Sequence, residues 1–590
     1  MQKQSLQHIR FATLFFLLVA SCMLLDIAVV HDSRIMMKWF GCCVVSILFA
    51  ASLCLWGRRQ QVHVRVADLA VALLLFYILI YDYNRGDLSQ PILLRIATLA
   101  LLYLVFRQSI GENLLNTCYA IFLIQAAVLA VWGIVQFVQA VIHHEPLHTA
   151  ITGGFDNPAG FALALALSLP IGIYLLKLPE RFKWQGICIH VALIAIVLAL
   201  LLSASRTGYL SALCTGIYAY VLCGRRKGLW IGLSLMLVLL SLGLLYLFKQ
   251  DSADGRSYIA LCTWQQIADS PWWGHGRHGF SADYMSYQAD YLTSHPDSRF
   301  AWLSDNVHHP FNEWLYLLVR YGAVGFLLCV GILLSIIRPV LKRDCLLGKA
   351  SVVSSEAAAK QSLPMAFLVA LFPFTLFSYP MQYPLAWVVL IMAIAMLARY
   401  TKSVVCLHVK WLLPAVSLLG ACGTLPLCYH TIRDEVVWYD VATRSLSGQT
   451  RYVMPRYEEL YPRLRHSPHF LYNYAAELNY IGEYRRSQQV LDECVRRMDD
   501  YDTRLLAASN HEHMGNYGLS EQHLRKASAM CPVRFVPLYQ LTKLYEKMGR
   551  YDDRRCMARQ ILDKEVKVPS QRITDIKDEM RYILEDSDSK

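Results

Sequence analysis

From the N-terminus to about residue 430 the chain alternates long apolar stretches with short polar ones, and beyond that point it turns polar with helical periodicity. The apolar stretches run roughly 17 to 25 residues, the length an α-helix needs to cross about 30 Å of hydrocarbon. They predict about thirteen spans, near 11–30, 36–56, 66–83, 91–106, 115–142, 159–176, 187–204, 207–223, 228–248, 311–337, 363–380, 384–399 and 411–429. The first is too long, and followed by too many others, to read as a cleaved signal peptide, so it is expected to stay as a membrane helix. The expected fold class is all-α: a polytopic membrane helix bundle over residues 1–430, with an outward loop at 249–310, and a soluble helical array over residues 431–590.

Lysine and arginine set the orientation. Arg58, Arg59 and Arg65; Lys177, Arg181 and Lys183; Arg225, Arg226 and Lys227; Arg338, Lys342, Arg343, Lys349 and Lys360; and Arg399, Lys402 and Lys410 fall in alternate loops, which are therefore expected in the cytoplasm. The loops around Arg34, Arg85, 143–158, Arg206 and 249–308 are sparser in basic residues and are expected outside, together with the tail.

A composition of 56% hydrophobic and 17% charged residues argues against a soluble multidomain protein. The net charge of +12 follows mostly from loop topology. Nothing resembles a basic recognition helix or an aromatic RNA platform, so no nucleic-acid partner is expected. The seventeen cysteines show no CxxC pair or metal-ligand spacing, so neither a metal nor a cofactor is expected. Cys494, Cys531 and Cys556 are expected to pack within helices.

The tail carries an internal period. Leu478-Asn479-Tyr480-Ile481-Gly482-Glu483-Tyr484 recurs as Glu512-His513-Met514-Gly515-Asn516-Tyr517 and as Tyr545-Glu546-Lys547-Met548-Gly549-Arg550-Tyr551, with the glycines 33 and 34 residues apart. That spacing resembles three degenerate tetratricopeptide repeats over 467–565, closed by a polar helix near 570–586. In such repeats a glycine turns two antiparallel helices and the following aromatic packs between them. The array reads either as a cap on the membrane domain or as a groove for an acceptor or partner protein.

Polar groups gather at the entrances of several spans. His308-His309-Pro310-Phe311-Asn312-Glu313-Trp314-Leu315 opens the span that runs on through Gly322 and Gly325. Ser203-Ala204-Ser205-Arg206-Thr207-Gly208 places a guanidinium at a hairpin between two other spans. The loop of about sixty residues between them is long enough to suggest function. It holds Asp254-Gly255-Arg256-Ser257 on an amphipathic helix stopped by Pro271, then Trp272-Trp273-Gly274-His275-Gly276. Taken alone, Trp272 and Trp273 read as interfacial anchors, Arg206 as a snorkelling cation and His309 as a partner for a loop carbonyl. Taken together, stacking faces and planar cations suit a carbohydrate carried on a phosphate. Asn157, before Pro158, reads as helix-entry grammar, and Asn312 and Glu313 either orient the histidine or are solvated helix-start residues. Arg95 and Arg320 lie inside predicted spans, where a charge is costly unless it is paired, faces a cavity or snorkels.

In combination the stretches Gly153 to Ala162, Ser205 to Gly208, Gly255 to Gly276 and His309 to Gly325 resemble the O-antigen ligase and polymerase superfamily of bacterial membrane glycosyltransferases. The resemblance covers roughly residues 150–400. Many members carry histidine directly before the asparagine of the last segment, whereas Phe311 stands there in this chain.

The resemblance implies transfer of a glycan from an undecaprenyl-pyrophosphate carrier to an acceptor hydroxyl, lipid or protein, at the outer face of the bacterial inner membrane. It implies His309, or His308, as the base and Arg206 and Arg256 as ligands of the pyrophosphate; Asn157, Asn312, Glu313, Trp272, Trp273, Arg95 and Arg320 are the further substrate-binding candidates. Histidine suits proton removal near neutral pH, and arginine suits a departing pyrophosphate. Ligation, polymerisation and protein glycosylation share these motifs. A transporter of lipid-linked sugar would be expected to show repeats among its spans, and a bare scaffold leaves the arginine and histidine groups without a purpose.

Overall fold

Long apolar runs close their own backbone hydrogen bonds as helices, which is the stable answer for a chain in hydrocarbon. The computed structural model describes residues 2–56, 62–109, 115–146, 151–176, 183–223, 250–342, 355–407 and 411–588, and helices dominate them. Among the described residues eight helices are long and apolar enough to cross a membrane: those covering Ser33–Leu53, Val66–Asn84, Gln90–Gln108, Tyr119–Ile142, Pro158–Leu176, Lys183–Leu202, Glu313–Val340 and Leu412–Leu464. Thr13–Cys22, Ser362–Phe377 and Pro384–Tyr400 are shorter apolar helices. The predicted span 228–248 lies outside the described residues.

The chain divides into two units. The first comprises Met1–Phe248, Phe311–Trp314 and Gly325–Val436, and the second Lys249–Pro310, Leu315–Val324 and Val437–Lys590.

In the first unit Pro158–Leu176 is almost wholly enclosed by its neighbours. Small residues allow the close packing: a Cβ on Gly160 would press on the Tyr383 ring, and one on Gly133 on Phe161. Val66–Asn84, by contrast, buries only Ala67 and Asp82. Its Leu69, Leu73, Phe76 and Ile80 stay exposed, as a face turned to lipid would be. The first helix runs Gln2–Cys22 and stops short of the predicted limit at residue 30. The segment after it is polar at Asp26 and Asp32, and Asp26 pairs with Arg34 at 3.7 Å. A feature that periodicity did not predict is a two-stranded antiparallel ladder in which Val62 opposes Leu407 and Val64 opposes Val405. It joins two segments that the lysine and arginine pattern assigns to the same side.

The second unit contains Gln250–Asp269, which ends just before Pro271, and Gly279–Ser294. Its C-terminal part forms three helical hairpins: Pro468–Tyr480 with Tyr484–Val495, Tyr501–His513 with Tyr517–Met530, and Val536–Lys547 with Tyr551–Asp563, followed by Gln571–Asp588. Gly482, Gly515 and Gly549 turn them with φ of 90°, 78° and 68°, a region that favours glycine. Of the aromatics after these glycines, Tyr517 packs against the buried cluster of its hairpin as the period predicts, whereas Tyr551 is exposed and Tyr484 stacks on His513 of the next hairpin at 4.3 Å. Wedging falls instead to Tyr474 and Tyr545, both buried. Buried Gln288 ties the loop helices to the array, donating to the Asp305 carbonyl at 3.0 Å and the Met530 carbonyl at 2.7 Å.

Candidate functional site

The helix Glu313–Lys342 is broken at Gly322, where φ is 61° and ψ is −167°. The break frees backbone groups, and the Trp-Trp-Gly-His-Gly turn takes them up. Ala323 donates to the Pro271 carbonyl at 2.8 Å and Val324 to that of Trp272 at 3.3 Å; His275 and Gly276 donate back to the carbonyls of Val319 and Arg320 at 2.6 and 3.1 Å. Two segments singled out separately in the sequence are thus one structure. Gly274, with φ of 73°, has no room for a side chain, since a Cβ would lie 2.6 Å from the Val319 carbonyl oxygen.

Around this turn, within the second unit, His309 meets Arg320 through Tyr316. The His309 ring stands edge-on to Tyr316 at 6.2 Å. The Arg320 guanidinium lies 3.8 Å from the centre of the same ring, and its Nη2 donates to the Tyr316 hydroxyl. Its Nε is buried without a hydrogen-bond partner. Burial, then the charges of Arg320, His308 and His469, push the His309 imidazole down to about 3, so it is neutral at physiological pH. His308 is exposed. His278, at the foot of Gly279–Ser294, is likewise pushed down to about 3 by burial and by Arg320, Arg497, Arg277 and His469. His275 goes the other way. It sits 3.3 Å from Asp283 and 2.6 Å from the Gln266 carbonyl, and the Asp283 hydrogen bond holds it above the ordinary histidine range. Arg256 is half-buried on Gln250–Asp269, and the indoles of Trp272 and Trp273 are largely exposed.

The remaining candidates lie in the first unit. Arg206 is half-buried at the start of Arg206–Cys223. The Ser205 hydroxyl caps this helix by accepting from the Gly208 amide at 3.3 Å, and the preceding Ala204 has φ of 51°. The Asn157 side-chain carbonyl accepts from the Gly160 amide at 2.9 Å, capping the central helix, while its amide reaches the hydroxyls of Tyr379 and Tyr383 at 2.7 and 2.8 Å. The Tyr383 hydroxyl donates to Asp156 at 2.7 Å. Phe311, with φ of 52°, packs edge-on against Tyr379 at 5.5 Å, so an apolar ring occupies the position where many relatives of this type carry imidazole. Asn312 accepts from the Trp314 amide at 2.9 Å, and Glu313 accepts from the Met381 amide at 2.9 Å. Those bonds give Asn157, Asn312 and Glu313 structural work. Arg95 is exposed, with its guanidinium over the Trp39 ring at 5.5 Å.

Sequence reasoning missed Tyr316, Arg277 and His278 in the second unit, and Asp156, Tyr379 and Tyr383 in the first. The run Tyr379-Pro380-Met381-Gln382-Tyr383-Pro384, two tyrosines each followed by proline at a helix entrance, was the signal available for the last pair.

An all-α chain with several spanning helices, polar at their entrances, is a multi-pass membrane protein. Residues 191–330 match the family model described as O-Antigen ligase, which supports the likeness of this stretch to the O-antigen ligase superfamily. The matched stretch contains Arg206, Arg256, His309 and Arg320. No curated protein matches the chain.

Proposed function

We propose that this protein transfers a glycan from an undecaprenyl-pyrophosphate carrier to an acceptor hydroxyl, lipid or protein, at the outer face of the inner membrane. The observation that carries the reading is His309, neutral and held beside Arg320 on the segment that the family match includes. The acceptor oxygen attacks the anomeric carbon, the bond from that carbon to the phosphate oxygen breaks, and undecaprenyl pyrophosphate departs with the bonding pair. The acceptor proton passes to His309. Arg206 and Arg256 bind the pyrophosphate and stabilise the charge that builds on it.

A base whose proton affinity is depressed by burial and by Arg320 is weak in the empty site. An anionic donor offsets the Arg320 charge, raises the imidazole toward its ordinary range and so strengthens the base once substrate is present. The tetratricopeptide-like tail favours a protein acceptor or a partner-guided reaction, because such arrays commonly hold peptides.

The test is purified full-length protein with undecaprenyl-pyrophosphate glycan and candidate acceptors, comparing wild type with Arg206→Ala, Arg256→Ala and His309→Ala. Loss of the base is expected to cost about 10²- to 10⁴-fold in turnover. Unchanged transfer in all three variants sinks the mechanism. Chain growth on the carrier without ligation identifies a polymerase of the same superfamily, and movement of donor between leaflets without covalent transfer identifies a transporter.

A further inference from the structure

The second unit gathers cations from three distant segments around one turn. Arg277 and His278 lie on the turn that Gly276 anchors to the Arg320 carbonyl at 3.1 Å, and Arg277 donates to the Tyr321 hydroxyl at 2.9 Å. The same turn is bound to the C-terminal array. The Ser281 hydroxyl reaches the His278 carbonyl at 3.0 Å and the Arg497 carbonyl at 2.6 Å, and the Asp499 amide donates to the Ser281 carbonyl at 3.0 Å. Arg497 follows the second helix of the first hairpin, and His469 lies at the start of its first helix. The charges of Arg320, Arg497, Arg277 and His469 all bear on His278.

Like charges drawn together and partly removed from water repel one another unless an anion joins them. Among the described residues no carboxylate pairs with Arg320 or Arg497: the side-chain bonds of Arg320 go to Tyr316, and Arg497 donates to the Glu493 backbone carbonyl at 3.4 Å. The buried Nε of Arg320 has a proton to donate and no acceptor. Such an orphan donor costs about 1–3 kcal/mol unless something supplies its partner.

We infer that Arg277, Arg320 and Arg497, with His278 and His469, form a pocket for a phosphate-type oxyanion of the substrate, which makes the C-terminal array part of the substrate site. The word substrate rests on the glycan-transfer reading; the pocket itself does not. The oxyanion comes either from the carrier pyrophosphate or from a phosphate on the acceptor.

The experiment is calorimetric titration of the full-length protein in detergent with inorganic pyrophosphate, for wild type, Arg497→Gln, Arg497→Lys and His469→Gln. Arg497 meets Ser281 through its backbone and His469 is exposed, so these variants are expected to fold, and unchanged thermal midpoints verify it. Arg497→Gln is expected to weaken binding about tenfold to a hundredfold, as loss of a charged hydrogen-bond donor does, with Arg497→Lys in between. In transfer assays a raised KM for donor at unchanged kcat assigns the pocket to the carrier, and a raised KM for a phosphorylated acceptor assigns it to the acceptor. Wild type that binds no pyrophosphate, or variants that match it in both affinity and KM, overturns the pocket. If Arg206→Ala abolishes transfer in that same preparation, the glycan-transfer reading survives the pocket's failure. If Arg497-dependent binding is found but no acceptor is glycosylated, the pocket stands and the transfer reading falls.

Discussion

Replacing Gly322 by alanine tests the linkage between the broken helix and the turn that fills it. With φ of 61° and ψ of −167° the residue occupies a region open essentially to glycine alone, and forcing alanine there costs about 1–3 kcal/mol in backbone strain. The added Cβ would also fall on the Trp272 carbonyl and lie 2.6 Å from the Trp273 nitrogen. These are backbone atoms, which cannot rotate away as a side chain can. Relief requires the turn to withdraw, which gives up the four backbone bonds between the turn and the helix made by Ala323, Val324, His275 and Gly276, each worth about 0.5–1.5 kcal/mol net. The expected penalty is therefore about 3–9 kcal/mol. For a unit of about 200 residues, 3 kcal/mol corresponds to a fall in thermal midpoint of roughly 6–12 °C. The matched control is Gly331→Ala on the same helix, where a Cβ meets nothing within 4 Å and the change is expected to stay within about 1 kcal/mol. Thermal unfolding of the detergent-purified protein measures the difference, and hydrogen exchange over residues 271–276 locates it. Equal midpoints and equal protection of that turn in the two variants would refute the reasoning.

Acid should destabilise the second unit. His278 and His309 are held down to about 3 and His523 to about 4, below the unfolded value near 6.5, so the unfolded chain takes up protons first and stability is lost as pH falls from about 6.5; His275, shifted upward, opposes this. Thermal midpoints at pH 5 and 7.5 should differ less in His309→Gln than in wild type, and an identical pH response would count against the buried neutral imidazole. Glu313→Ala removes the acceptor of the Met381 amide and should cost about 1–3 kcal/mol, whereas Glu313→Gln keeps an oxygen there and should cost less; equal midpoints for the two exclude this role. Tyr383→Phe deprives Asp156 and Asn157 of a shared hydroxyl and is expected to lower stability by about 1–2 kcal/mol, read by thermal unfolding.

Much of the helical layout was legible because its cause is local. A run of apolar residues has to form a helix in hydrocarbon whatever else the chain does, and so predicted spans such as 66–83, 115–142 and 159–176 coincide with helices to within a residue or two. The hairpin turns at Gly482, Gly515 and Gly549 were visible for a similar reason, since a left-handed turn residue repeats with the unit it closes. The antiparallel ladder was invisible, because its strands are four and five residues long and more than 330 residues apart, too short for a period of their own.

The candidate site divides in the same way. His309, Arg206, Arg256 and Arg320 stand out in the sequence because charged or titratable groups at helix entrances or within apolar runs are costly and need a reason. The sequence by itself therefore determined the membrane helices, the period of the tail and the short roster of costly polar residues, all of which depend on neighbours within a few turns. Only the tertiary structure decided that Gly322 breaks its helix to receive the Trp272 to Gly276 turn, that Phe311 packs on Tyr379, and that the Arg497 carbonyl of the tail accepts from the Ser281 hydroxyl. Those outcomes depend on backbone groups and charges far apart in the chain finding one another, and no local pattern records which donor will meet which acceptor.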